Sequence, residues 1–69
     1  MKRSIELNHR KHPYRDGMTI SSLMAEKNYD HNYINIVKVN GAVIEEGAWD
    51  GTAVSAGDKV EMIHLFGGG

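Results

Sequence analysis

The most regular apolar run in the chain comes at its end, and it stops at three glycines. Lys59-Val60-Glu61-Met62-Ile63-His64-Leu65-Phe66 is mostly apolar and β-branched at Val60 and Ile63, and Ala56-Gly57-Asp58 precedes it. It reads as a strand. A comparable pattern lies at the opposite end, where Ser4-Ile5-Glu6-Leu7 alternates polar and apolar and points Ile5 and Leu7 at a core. Two such strands at the two ends of a short chain are the natural central pair of a sheet. Everything between them has to be arranged around that pairing.

The intervening residues supply the rest of the sheet and one helix. Asn8-His9-Arg10-Lys11 is a polar turn, followed by a weaker strand over residues 12–15, where Pro13 lacks an N–H and places the strand at an edge. Asp16-Gly17 breaks the strand, and Thr19 is a good helix N-cap. Ile20, Leu23 and Met24 fall on one helical stripe, Met18 is positioned to staple onto Leu23, and Asn28 stops the helix. The N3 position holds Ser22 where a capping box calls for Glu or Gln, so a full box is not expected. At about two and a half turns the helix needs a sheet to lie on.

A polar loop over residues 29–32 leads to a strand, Ile34-Asn35-Ile36-Val37-Lys38-Val39, with Val37 and Val39 on one face and Ile36 and Lys38 on the other. Asn40-Gly41 predicts a type I′ hairpin, because both central positions of that turn need φ > 0. Ala42-Val43-Ile44 is the return strand. Residues 45–52 read as irregular, with Trp49 closing one end of the core. The order strand, strand, helix, strand, short strand, strand implies an α+β domain: a mixed sheet of four to five strands with one helix across one face.

The totals narrow the function classes. Sixty-nine residues make one small domain, which buries only about 60% of the surface its unfolded chain exposes and offers little room for a substrate cavity. That argues against a self-contained enzyme. An apolar share of 41% favours a folded domain over disorder. Eight basic against nine acidic residues, with no basic stripe, argues against a nucleic-acid partner. There is no cysteine, so disulfides, thiolate metal sites and thiol nucleophiles are out. No apolar run approaches the ~18–20 residues of a membrane span, and a cytoplasmic monomer is expected.

The side chains give few other candidates for chemistry. His9, His12, His31 and His64 do not fall at ligand spacing with other donors, so no metal site is expected. Glu45-Glu46 reads as a solvated turn and Asp58 as a turn-former. What remains is the terminus. Residues 1–66 form the body and residues 67–69 a tail whose glycines are expected to be mobile and thin. Extended, that tail reaches roughly 10 Å, at about 3.3–3.6 Å per residue. It suits a carboxylate that must be threaded into another protein's active site. If Val37, Val39, Val60 and Met62 face the helix, Ile36 lies on the open face of the sheet, and Leu65 and Phe66 straddle the exit of the strand. Ile36, Leu65 and Phe66 are the candidate docking residues.

Gly17-x-Thr19-Ile20-x-x-Leu23, Val37-x-Val39-Asn40-Gly41-x-Val43-Ile44, Trp49, and Gly57-Asp58-Lys59-Val60-Glu61-Met62 leading to Gly67-Gly68-Gly69 together resemble the ThiS-type sulfur carriers of thiamin biosynthesis, within the ubiquitin-like β-grasp family. The likeness spans the chain. It departs from the family in the aromatic and His-rich loop 29–33 and in the less regular strand at His12-Pro13-Tyr14. The resemblance implies that a ThiF-like adenylyltransferase spends ATP to convert the Gly69 carboxylate to an acyl-adenylate, with Gly67 and Gly68 threaded into that partner. It further implies that sulfur from a cysteine desulfurase relay replaces the adenylate, and that a ThiG-like thiazole synthase takes it. No cofactor would be bound by the chain itself. The small subunit of molybdopterin synthase (MoaD-like) and ubiquitin-like protein modifiers share the fold and tail, and are the alternative functions.

Overall fold

The computed structural model describes residues 3–64. Its five strands are β1 (Ser4–Leu7), β2 (Arg10–Pro13), β3 (Ile34–Val39), β4 (Ala42–Ile44) and β5 (Lys59–His64), with one helix, α1 (Ile20–Glu26). The strands form a single sheet in the order β2-β1-β5-β3-β4. β1 and β5 are parallel and every other neighbouring pair is antiparallel. The two ends of the chain therefore do meet at the centre of the sheet, and Pro13 sits on an edge strand.

Alternation decides which face is buried. Ile5 and Leu7 of β1, Val60 and Met62 of β5, and Val37 of β3 pack under Ile20, Leu23 and Met24 of α1. Met18, Trp49 and Val54 close the ends of this core. Ile34 joins it although simple alternation from Val37 would put it on the other face. The register of β3 against β5 slips between Ile34 and Ile36, and this bulge turns Ile34 back toward the helix. Trp49 is buried with its indole Nε1–H donating to the Ile44 carbonyl at 2.9 Å, which satisfies its one polar atom.

Both hairpins use asparagine for two jobs. Asn40 and Gly41 have φ of 51° and 86°, as a type I′ turn requires. The Asn40 side chain accepts from Lys59 N at 2.9 Å and donates to Asp58 Oδ1 at 3.0 Å, which ties the hairpin to the start of β5. The β1–β2 turn is tighter than the four polar residues suggest. Asn8 and His9 take φ of 50° and 69°, a two-residue turn, so Arg10 and Lys11 already pair with Leu7 and Glu6. The second strand accordingly runs over Arg10–Pro13 and not over residues 12–15. Asn8 then reaches past the end of β1, its Oδ1 accepting from Met62 N at 2.8 Å.

The helix start also corrects the sequence reading. Thr19 Oγ1 accepts from Ser22 N at 3.1 Å, and Ser22 Oγ accepts from Thr19 N at 2.8 Å, so the reciprocal capping box is present. A serine hydroxyl accepts as a carboxylate does and also donates, here to the Thr19 carbonyl at 3.1 Å. The other end closes in a Schellman motif: Asn28 has φ 58°, its N–H bonds Ala25 O, and Tyr29 N–H bonds Met24 O. Ser22→Ala gives a test in which two effects have opposite signs. Helix propensity alone predicts a gain of up to about 0.5 kcal/mol. Loss of the box costs about 1 kcal/mol. We expect a net loss and a melting temperature lower by a few degrees, of the order expected for a domain this small. A rise in melting temperature would remove the box from the account.

Candidate functional site

The site is built around the far end of β5. With Val60 and Met62 committed to the core, Glu61 and Ile63 must lie on the other face of the sheet, which no helix covers. Ile63 is the register partner of Ile36, and both are half-buried. Lys38 pairs with Glu61 one step along, and with Val43 of β4 on its other side. Val43 is thus a diagonal neighbour of Ile36 on the same face, and it is 62% exposed. Ile36, Ile63 and Val43 make an apolar patch toward the exit end of the strand. Lys59, Glu6 and Lys11, opposite one another in register, make the remainder of the face charged and self-complementary.

Ile36 sits on the open face, as expected from its position one residue before Val37. Ile63 and Val43 were not singled out from sequence, though the same alternation marks Ile63 once Met62 is assigned to the core. Leu65, Phe66, Gly67, Gly68 and Gly69, the other candidate docking and attachment residues, lie outside the described residues. His64, the last described residue, meets the Tyr29 ring edge-on at a centroid distance of 6.2 Å and 78°. That contact seats the end of β5 beside Tyr29, which follows the C-terminal end of α1.

Among the described residues, no three His, Cys, Asp or Glu side chains come together as a group that could hold a metal ion. His12 is buried, with Nδ1 donating to the Pro13 carbonyl at 2.8 Å and Nε2 at 3.6 Å from Glu26 Oε1. Glu26 also pairs with Arg15. This cluster braces β2 against the helix. Glu45 and Glu46 are solvent-exposed. Asp58 holds a turn, with Oδ2 accepting from Ser55 N at 2.8 Å. Every buried side-chain polar atom among the described residues has a partner. No helix among them is long and apolar enough to cross a membrane.

A mixed sheet with the first and last strands parallel at its centre and one helix across it define a ubiquitin-like β-grasp protein. Residues 2–69 match the ThiS family, and the chain belongs to it. The crystal structure of the thiamine biosynthesis protein ThiS from Geobacter metallireducens is similar, with a TM-score of 0.74 and 33% sequence identity over 96% of this chain and 99% of that one. No curated protein matches the sequence.

Proposed function

We propose that this chain is a non-catalytic sulfur carrier for thiamin biosynthesis, and that sulfur is carried on the carboxylate of Gly69. The observation that carries the reading is the family match, which runs through the three glycines to the last residue. The 33% identical protein of known structure is a thiamine biosynthesis protein. The apolar patch at the exit end of β5 supports it, because a tail delivered to another protein needs a surface that holds the body beside the entrance.

The chemistry follows from what a carboxylate lacks. Its negative charge repels nucleophiles, so it must first be activated. A carboxylate oxygen of Gly69 attacks the α-phosphorus of ATP, pyrophosphate leaves, and the acyl-adenylate is uncharged at carbon with a good leaving group attached. A persulfide of a desulfurase relay then attacks that carbon, AMP departs with one of the original oxygens, and a second thiol of the relay cleaves the S–S bond of the resulting acyl disulfide, leaving a disulfide on the relay. The product is a thiocarboxylate. A ThiF-like adenylyltransferase performs the adenylation on its own residues and aligns the reacting atoms. A thiazole synthase is the acceptor. Gly67 and Gly68 present the carboxylate without side chains to obstruct the channel, and Leu65, Phe66 and Ile36 dock the body.

Incubation with ATP, the adenylyltransferase and the desulfurase tests the reading by intact mass. We expect a species in which one oxygen has been exchanged for sulfur. Unmodified protein alone, with both enzymes shown active, overturns it. Docking has its own test. Ile36→Glu places a charge where an apolar contact is expected, with a cost of at least about 2 kcal/mol at a central contact. The KM for the carrier in adenylation should rise about thirtyfold, at 1.4 kcal/mol per factor of ten. An unchanged KM with a folded variant excludes Ile36 from the interface.

A further inference from the structure

We propose that Arg10 and Lys27 form a second docking surface, on the helix side of the end of β5, whose partner is a carboxylate-rich protein surface flanking the channel of the adenylating enzyme. The proposal rests on the carrier reading above.

Topology brings Arg10 and Lys27 beside the end of β5. β1 runs parallel to β5, with Leu7 beside Val60, and Asn8 bonds Met62 N. The turn that leads to Arg10 therefore lies alongside the last part of β5. From the other side, Lys27 caps the C-terminal end of α1 and Tyr29 meets His64. Between the two elements is a groove of about 320 Å³, lined by Leu7, Arg10, Lys11, His12, Lys27 and Tyr29.

The charges at this groove are unbalanced. Arg10 and Lys27 are both exposed, and no side-chain ion pair or hydrogen bond engages them among the described residues, whereas Lys11 stands opposite Glu6 on the open face. The neighbouring cations are treated differently: Arg3 pairs with Asp16, and Arg15 with Glu26. Glu26 already pairs with Arg15 and lies 3.6 Å from His12, Glu6 is on the open face within 3.7 Å of His9, and Asp30, which follows Tyr29, accepts from Asn32 N at 2.9 Å. Acids are not scarce, since the chain has nine against eight bases. Three of them, Glu45, Glu46 and Asp50, flank Trp49, whose carbonyl accepts from Ser21 N at the other end of the helix. These three acids lie toward the start of α1, away from Arg10 and Lys27 at its other end.

The same geometry says what kind of anion fits. His12 is the buried polar group in the groove, and its ring nitrogens already face the Pro13 carbonyl and Glu26. With no buried donor aimed into the space, the groove has nothing to fix a small anion such as phosphate. Two exposed cations on long side chains instead match a broad acidic surface, which requires sign and reach more than fixed geometry. Their contribution is to association: opposite charges around a channel mouth raise the rate of productive encounter and lose that advantage in salt.

The test compares Arg10→Glu/Lys27→Glu with wild type in adenylation by the adenylyltransferase, followed by pyrophosphate release at about 0.1 M and about 1 M salt, where the Debye length falls from about 10 Å to about 3 Å. Lys59→Glu, at the opposite end of β5, controls for net charge against the single Arg10→Glu variant, each substitution changing the charge by two. We expect the double variant to lose at least about tenfold in kcat/KM for the carrier at low salt through KM, to come within about twofold of wild type at high salt, and to retain kcat. Circular dichroism checks that the variants are folded. Wild-type turnover with no salt-dependent gap between the proteins overturns this proposal and leaves the carrier reading standing. A loss expressed in the KM for ATP would assign the groove to the nucleotide and overturn it likewise. No turnover of wild type overturns both.

Discussion

Replacing Leu23 by alanine is expected to leave a substantial fraction of the chain unfolded at room temperature. Leu23 is fully buried, at 0% exposure, between Ile20 and Met24 on the stripe that α1 presses into the sheet. A Leu→Ala change at such a site costs about 2–5 kcal/mol, the larger values applying where the surroundings cannot collapse into the space. A core of this size supplies only about 3–5 kcal/mol in total. The loss is therefore comparable with the whole stability. Trp49, the single tryptophan, is buried in the same core and reports on it directly by fluorescence. In a urea titration the midpoint should fall by at least 1 M, with a slope near 1 kcal/mol per molar for so small a domain. Leu23→Met, which nearly conserves volume, should lose less than about 1.5 kcal/mol. A loss below about 1 kcal/mol for the alanine variant would mean that α1 does not carry the core as described.

That sensitivity explains why so much of the fold was legible in the sequence. A core of a dozen residues leaves no slack, so each apolar position has to sit where the period of its element puts it. Ile5, Leu7, Ile20, Leu23, Met24, Val37, Val60 and Met62 all do. Asn40-Gly41 was readable because few sequences tolerate two consecutive positive φ values. Where reading and structure part, the cause is local hydrogen bonding that residue type underdetermines. Ser22 completes a capping box usually written with a longer side chain. Asn8-His9 adopts positive φ at both positions without a glycine, which shifts β2 by two residues. The bulge that buries Ile34 depends on how β3 meets β5, a non-local pairing that alternation along one strand does not encode.

The candidate site was legible in a different way. The chemistry proposed for it lies in the terminal carboxylate and in the absence of side chains around it, and both are plain in Leu65-Phe66-Gly67-Gly68-Gly69. Ile36 followed from alternation. The surroundings were less accessible. That Arg10 and Lys27 share one groove depends on a parallel β1–β5 pairing and on a helix ending beside it, residues seventeen apart in sequence that only the topology brings together.

A single alanine appended after Gly69 is expected to abolish thiocarboxylate formation while leaving recognition of the body nearly intact. The added residue moves the carboxylate by about 3.3–3.6 Å along an extended chain. An enzyme that aligns a carboxylate oxygen with a phosphorus atom does not accommodate such a shift, since a misplacement of about 1 Å already costs about a hundredfold in rate. The chain cannot absorb the extra length by withdrawing into the fold, because β5 is fixed by two neighbours and by the Asn8 and Asn40 side chains. The open face and the Arg10–Lys27 groove are untouched by the extension. We therefore expect kcat for adenylation to fall by at least about a hundredfold while the extended protein competes with wild type at an inhibition constant within about threefold of the wild-type KM. Intact mass should show no exchange of oxygen for sulfur. The combination separates two explanations for a dead variant. Loss of kcat with retained competition places the defect at the reacting carboxylate, whereas loss of competition places it in docking. Full activity of the extended chain would show that the closing carboxylate of Gly69 is not the reactive group, and that the glycines are an ordinary chain end.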